Sequence, residues 1–161
     1  MLRRDYDGQN CSIAATLEQI GERWTLLILR DAFLGVRRFD DFQSRLGIAR
    51  NVLQSRLERL VDEGLLRRVE YQPRPQRFEY RLTSKGVDLW PVLVALLKWG
   101  DKHAAPGGPP VVLKHTDCGG EVDDRRICTA CGKALEADEV HAERGPGAKR
   151  GQKPGEPVFA A

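Results

Sequence analysis

Residues 38–82 read RFDDFQSRLGIARNVLQSRLERLVDEGLLRRVEYQPRPQRFEYRL, and the fold turns on how this stretch is parsed. Phe39, Phe42 and Leu46 recur at helical spacing, and Asp40 and Asp41 sit in the first turn, where the helix dipole favours negative charge. Gly47 ends that helix. A second periodic segment, 49–63, turns Val52 or Leu53, Leu57, Leu60 and Val61 inward. It leaves Arg50, Asn51, Gln54, Ser55 and Arg59 facing away from the core. Gly64 closes it at the usual C-terminal position. LLRRVEYQ and RFEYRL are then two β-patterned runs around a PRPQ tip. The expected fold is mainly α with a small β-wing, α+β in class: a winged helix-turn-helix.

At 161 residues the chain allows one domain of ordinary size plus something small, and its 41% apolar content suffices for one core. No apolar run approaches the roughly 18 residues needed to cross a bilayer. The N-terminus MLRRDYDGQN lacks the apolar stretch of a signal peptide, so a cytoplasmic protein with no membrane partner is expected. The net charge of +3 says little by itself; its distribution says more. Residues 36–86 hold 12 Lys/Arg against 7 Asp/Glu, whereas residues 104–161 hold 8 against 9. Positive charge is therefore concentrated on the helix pair and hairpin, where a phosphate backbone would lie.

Outside the central stretch, residues 1–10 are polar and expected to fray. SIAATLEQIG forms a first helix with Ser12 as its N-cap candidate. GERWTLLILRDAFLG is too apolar for a surface helix and should form the buried centre. After the wing, Thr83 caps a helix beginning SKGVDLW, which Pro91 should kink or restart. Leu89, Val92, Leu93, Leu96, Leu97 and Trp99 then supply more apolar surface than one small core needs. A two-fold homodimer would cover the excess and present two recognition helices to successive major grooves. The alternative is that Trp90 and Trp99 fold back onto the first two helices.

The region up to His103 resembles the HxlR family of bacterial winged-helix regulators, relatives of the MarR type. The resemblance is carried by Cys11 before the first helix, IGERWTLLILRDAFLGVRRFDDF, LQSRLERLVDEGLLRR, and RFEYRLTSKGVDLWPVL followed by Trp99 and Gly100. It implies a homodimer joined through its outer helices that binds a pseudo-palindromic operator, with repression the expected direction. It also implies room for a small-molecule or electrophile inducer. Some members of the family sense oxidants or electrophiles through a cysteine at the place of Cys11, whose thiolate a helix N-terminus would stabilise. The alternative for Cys11 is a small side chain packed against the dimer partner.

With the helix 49–63 in a major groove, Arg50, Asn51, Gln54 and Ser55 come within range of base edges. Arg prefers guanine and Asn or Gln prefers adenine, each bidentate pair being worth about 1–3 kcal/mol of discrimination. Arg45, Arg56 and Arg59 are expected at phosphates. Arg74 and Arg77 at the wing tip are expected in the minor groove or on the backbone, with Pro73 and Pro75 holding the loop extended.

Three of the four cysteines cluster late, as His115-x2-Cys118-x9-Cys128-x2-Cys131. Two such knuckles, with Gly119, Gly120 and Gly132 to let the backbone turn around a metal, have the spacing of a small structural zinc site. Little apolar core is visible there beyond Val122, Ile127 and Leu135, so bound metal is the expected source of folding energy. His115 is the preferred fourth ligand, with Asp117, His141 or a water as alternatives. The expected organisation is a frayed 1–10, a winged helix-turn-helix over 11–103, a linker over 104–114 containing PGGPP, a zinc-ribbon-like segment over 115–141 and a disordered tail over 142–161. No nucleophile sits with a His and an acid at recognisable spacing, so no enzyme is expected. A competing expectation is a protein–protein adaptor in which the winged helix and zinc ribbon face protein partners rather than double-stranded DNA.

Overall fold

The computed structural model describes Tyr6 and residues 9–149. The expected frayed N-terminus lies largely outside these residues, as does the part of the expected tail from 150 to 161. Helices α1 (Ser12–Ile20), α2 (Thr25–Phe33), α3 (Phe39–Leu46) and α4 (Arg50–Asp62) come first. An antiparallel hairpin follows, β1 (Leu66–Pro73) against β2 (Gln76–Leu82). Then come a one-turn helix α5 (Ser84–Val87), the long α6 (Trp90–His103), and a second hairpin of β3 (Val111–His115) and β4 (Val140–Arg144).

Gly47 takes the left-handed conformation, φ +63°, that ends α3, and its N–H donates to Gln43 O at 2.9 Å. Ile48 is buried and Ala49 is extended, so the chain turns sharply into α4. Leu53, Leu57 and Leu60 of α4 are 0%, 0% and 1% exposed. At about 1.5–3 kcal/mol each, their burial fixes which face of α4 points outward. Thr83 caps α5 by accepting from Gly86 N–H, and the chain restarts as α6 with Pro91 in the first turn, where its missing N–H costs no hydrogen bond.

Two apolar clusters share α2. Ile28, Leu29 and Ala32 face the helix-turn-helix, packing with Ile20, Phe42, Ile48, Leu53, Leu57, Leu60, Leu65 and Leu66. Phe33 faces the other way, to Trp90 and Val94 of α6 and to Leu113, Val122, Cys128, Leu135, Val140 and Ala142. The segment that carries the three late cysteines is thus built onto α2 and α6 and has a larger apolar core than its own composition suggested. For the same reason the expected linker and tail differ from what is found. Val111–His115 and Val140–Arg144 pair as strands, Leu113 opposite Ala142 and His115 opposite Val140, because alternate residues bury against Trp90 and Val94. The tryptophans split: Trp90 is 4% exposed, while Trp99 is 64% exposed and packs on the His103 ring.

Candidate nucleic-acid interface and metal centre

Arg50, Asn51, Gln54 and Ser55 lie exposed on one side of α4, opposite its buried leucines. Arg50 is held at the start of the helix, its guanidinium 4.7 Å from the Phe39 ring centroid and 3.8 Å from Asp40 Oδ1. Gln54 donates from Nε2 to Glu58 Oε1 at 3.0 Å, one turn along. Ala49 supplies no side-chain cap to α4. Arg74 and Arg77 are exposed at the far end of the hairpin. The tip is tighter than expected. Pro73 pairs with Gln76, so the connection is the two residues Arg74 and Pro75, braced by Gln76 Nε2 donating to Glu70 Oε2 at 2.6 Å. Between α3, α4 and the hairpin runs a cleft of about 540 Å³ lined by Arg38, Asp40, Arg50, Tyr71, Arg77 and Phe78. Arg38 and Tyr71 were not singled out in the sequence. Arg38 stacks on Tyr71, 4.6 Å to the ring centroid, a meeting of residues 33 positions apart that only the fold creates.

Three arginines expected at phosphates are engaged elsewhere. Arg45 Nε lies 3.4 Å from Oδ2 of Asp31, whose side chain is fully buried and also holds Arg30 at 2.8 Å. Arg56 pairs with Glu22 at 2.8 Å, and Arg59 donates to the Glu18 carbonyl. The Nε atoms of Arg56 and Arg59 are buried. For Arg56 and Arg59 the reason is geometric: α1 and its following turn lie beside this edge of α4, so both become ties between helices, while Arg45 ties α3 to α2.

The late cysteines converge. His115, Cys118, Cys128 and Cys131 place one ligand atom each within 4.8 Å of all the others. His115 Nδ1 lies 3.1 Å from Cys118 Sγ and 3.4 Å from Cys131 Sγ, and the Cys118 and Cys128 sulfurs are 3.4 Å apart. Both knuckles have one backbone design. His115 N–H donates to Gly120 O while Gly119 N–H donates to His115 O; Cys128 N–H donates to Lys133 O while Gly132 N–H donates to Cys128 O. Gly119 and Gly132 have φ of +71° and +74°, the left-handed turn each knuckle needs. His115 therefore stands where a cysteine stands in the second knuckle.

Of the other candidates for fourth ligand, Asp117 lies 3.6 Å from His115 Nε2, behind the ring, and His141 is with Glu143 at 3.0 Å; neither joins the cluster. The donor set, three thiols and one imidazole nitrogen, suits a soft to borderline divalent metal with four ligands. Backbone N–H groups of Cys131 and Ala130 hold the Cys128 thiol down to a pKa of about 6. At Cys118 the Gly120 N–H pulls downward, but the Cys128 and Cys131 sulfurs and burial outweigh it, leaving that thiol above its ordinary value. Cys11 is apart from this cluster, exposed at the N-terminus of α1.

The family model described as HxlR-like helix-turn-helix matches residues 19–107. An uncharacterised HTH-type transcriptional regulator of Mycobacterium tuberculosis is 50% identical over 149 residues, 92% of this chain and 93% of that one. The crystal structure of PA1607, described as a transcription factor, superposes with TM-score 0.68 at 38% identity, over 86% of this chain and 97% of that one. A Pseudomonas aeruginosa transcription-factor structure is 41% identical with TM-score 0.52, over 87% and 96%. These matches are too long to stop where the family model does, so they extend into the segment that holds the metal ligands. Among the described residues no helix is long and apolar enough to cross a membrane. The chain belongs to the HxlR-like helix-turn-helix family and is a transcriptional regulator with a helix-turn-helix DNA-binding domain, not an enzyme.

Proposed function

We propose that the protein acts as a homodimer on a pseudo-palindromic operator and represses by occupying it. The observation that carries this reading is the polar face of α4. Arg50, Asn51, Gln54 and Ser55 stand clear of the core on a helix locked by three buried leucines, with Arg74 and Arg77 at the end of the adjacent hairpin. In a major groove the four α4 residues read base edges, Arg50 suited to guanine and Asn51 and Gln54 to adenine. The wing arginines hold the backbone or the minor groove and set the affinity common to all sequences. Repression needs only that the operator be covered.

Dimerisation is supported by apolar side chains left exposed at helical spacing, Val92, Leu96 and Trp99 on α6 and Ile13 and Leu17 on α1. Their burial against a second copy would set the spacing of the two α4 helices. His115 Nδ1 and the sulfurs of Cys118, Cys128 and Cys131 would hold a structural zinc, which supplies a four-point tie between two loops. Cys11, solvent-accessible, is the candidate thiol for an oxidant or electrophile signal.

Footprinting of the DNA upstream of the protein's own gene tests the reading. Two protected half-sites centred about 10–10.5 base pairs apart, or a multiple of that, are expected. A single protected half-site, or retention that is lost equally on every duplex as salt rises, contradicts it.

A further inference from the structure

The two turns that bring the candidate metal ligands together read HTDCG over 115–119 and CTACG over 128–132. They share threonine, cysteine and glycine at the second, fourth and fifth places, with the same backbone hydrogen bonds and the same left-handed glycine. They differ at two places. Where the second turn has Cys128 the first has His115, and where the second has Ala130 the first has Asp117. The two differences go together chemically. A thiolate ligand has a single donor atom, whereas an imidazole that gives one nitrogen to a metal keeps a hydrogen on the other, and that N–H needs an acceptor.

His115 is 2% exposed and turns Nδ1 toward the sulfurs of Cys118 and Cys131. Its Nε2 is the nitrogen left over, buried and without a hydrogen-bond partner among the described residues. A buried donor left unpaired is costly, and native proteins rarely keep one. The carboxylate of Asp117 stands 3.6 Å from Nε2, a few tenths of an ångström beyond hydrogen-bond reach. The Asp117 side chain is 79% exposed, so no packing opposes the small rotation that would close the gap. Glu139, another acid that interacts with His115, is committed elsewhere: Oε1 accepts from Lys133 Nζ and Oε2 accepts from the Glu136 N–H at 3.0 Å.

We propose that Asp117 is a positioning residue for the metal site, its carboxylate accepting the Nε2–H of His115 and so fixing the tautomer and ring orientation that present Nδ1 to the metal. The inference rests on the zinc ligand set proposed above and adds a fifth residue to it. It also accounts for Ala130, because a carboxylate in the second turn would add negative charge beside thiolates and find no imidazole to hold.

The test uses the full chain and zinc, with affinity read by competition against a chromophoric chelator. Asp117→Ala should weaken zinc binding by about 10–100-fold, the usual effect of removing such a partner. Asp117→Asn, whose amide oxygen still accepts, should recover most of that loss. In a His115→Cys background, which offers four thiols, Asp117→Ala should cause no loss, whereas a merely structural role would weaken both backgrounds alike. By NMR the Nε2–H proton of zinc-loaded protein, identified by its absence from His115→Cys, should move upfield in Asp117→Ala. If His115→Cys does not fold, the order wild type, Asp117→Asn, Asp117→Ala in affinity decides. Equal losses in the two backgrounds, or no loss in Asp117→Ala while His115→Ala does lose zinc, overturns the proposal and leaves the zinc site standing. Wild type that takes up no stoichiometric zinc, or His115→Ala that holds it as tightly, overturns the ligand set and the proposal with it.

Discussion

Asp31 of α2 and Arg45 of α3 are joined at 3.4 Å, the Asp31 side chain fully buried and the Arg45 side chain one-third exposed. The contact ties the helix that divides the two cores to the first helix of the DNA-binding pair. Asp31→Ala should lower stability by about 1.5–3 kcal/mol, the worth of hydrogen bonds to charged groups. Arg45→Ala should cost a similar amount, because it leaves the buried carboxylate with Arg30 alone. Urea denaturation of both variants checks this, and an unchanged midpoint for either would be evidence against the tie.

The arginines of α4 and the wing should separate into two groups by their salt dependence. Arg56→Ala and Arg59→Ala remove contacts to Glu22 and Glu18, so they should lower the melting temperature and leave the slope of log affinity against log salt nearly unchanged. Arg74→Ala should do the reverse, weakening binding to all duplexes and reducing that slope by about 1. Fluorescence anisotropy on an operator and a scrambled duplex at several salt concentrations measures both.

Gly120 is buried under the metal ligands, and a Cβ there would overlap the Cys128 sulfur and approach Ala130 Cβ to 2.7 Å. With zinc held by these four residues as proposed, Gly120→Ala should eject it, seen as less than stoichiometric metal by elemental analysis. Because Cys128 belongs to the same buried cluster as Phe33 and Trp90, loss of metal should also lower the melting temperature of the helical part, so that the segment 111–144 does not melt separately. Two resolved transitions in calorimetry would show that the segment folds alone.

Metal retention should depend on pH in a direction set by the two unlike thiols. Cys128, with a pKa lowered to about 6, is already a thiolate at neutral pH, and what it contributes is lost as pH falls through that value. Cys118, raised, must give up its proton when metal binds. Zinc uptake at neutral pH should thus release protons, measurable as a buffer-dependent heat in titration calorimetry, and affinity for the metal should weaken as pH falls. Uptake with no dependence on buffer would contradict this.

The helix-turn-helix was legible because its signals are local. Phe42, Leu53, Leu57 and Leu60 repeat at helical period, and Gly47 and Gly64 both take the positive φ that ends a helix. The grouping of Cys118, Cys128 and Cys131 was legible from spacing, with His115 the preferred fourth member. What escaped depends on contacts distant in sequence. VVLKH and VHAER are short and follow or precede Gly/Pro-rich stretches, so nothing local marks them as strands; the bond between them is made by burial on Trp90 and Val94. The destination of an arginine is equally a tertiary property. Arg50 and Arg56 sit six residues apart on α4, yet one stays exposed beside Asp40 and the other is captured by Glu22 across the fold.

The claim beneath all of this is that the exposed side of α4 reads bases. The most direct measurement is the affinity of wild type and Asn51→Ala for an operator in which each position is changed in turn. The account predicts that Asn51→Ala loses about 1–3 kcal/mol of discrimination at one position of each half-site and leaves the others as they were. An unaltered preference at every position would contradict it.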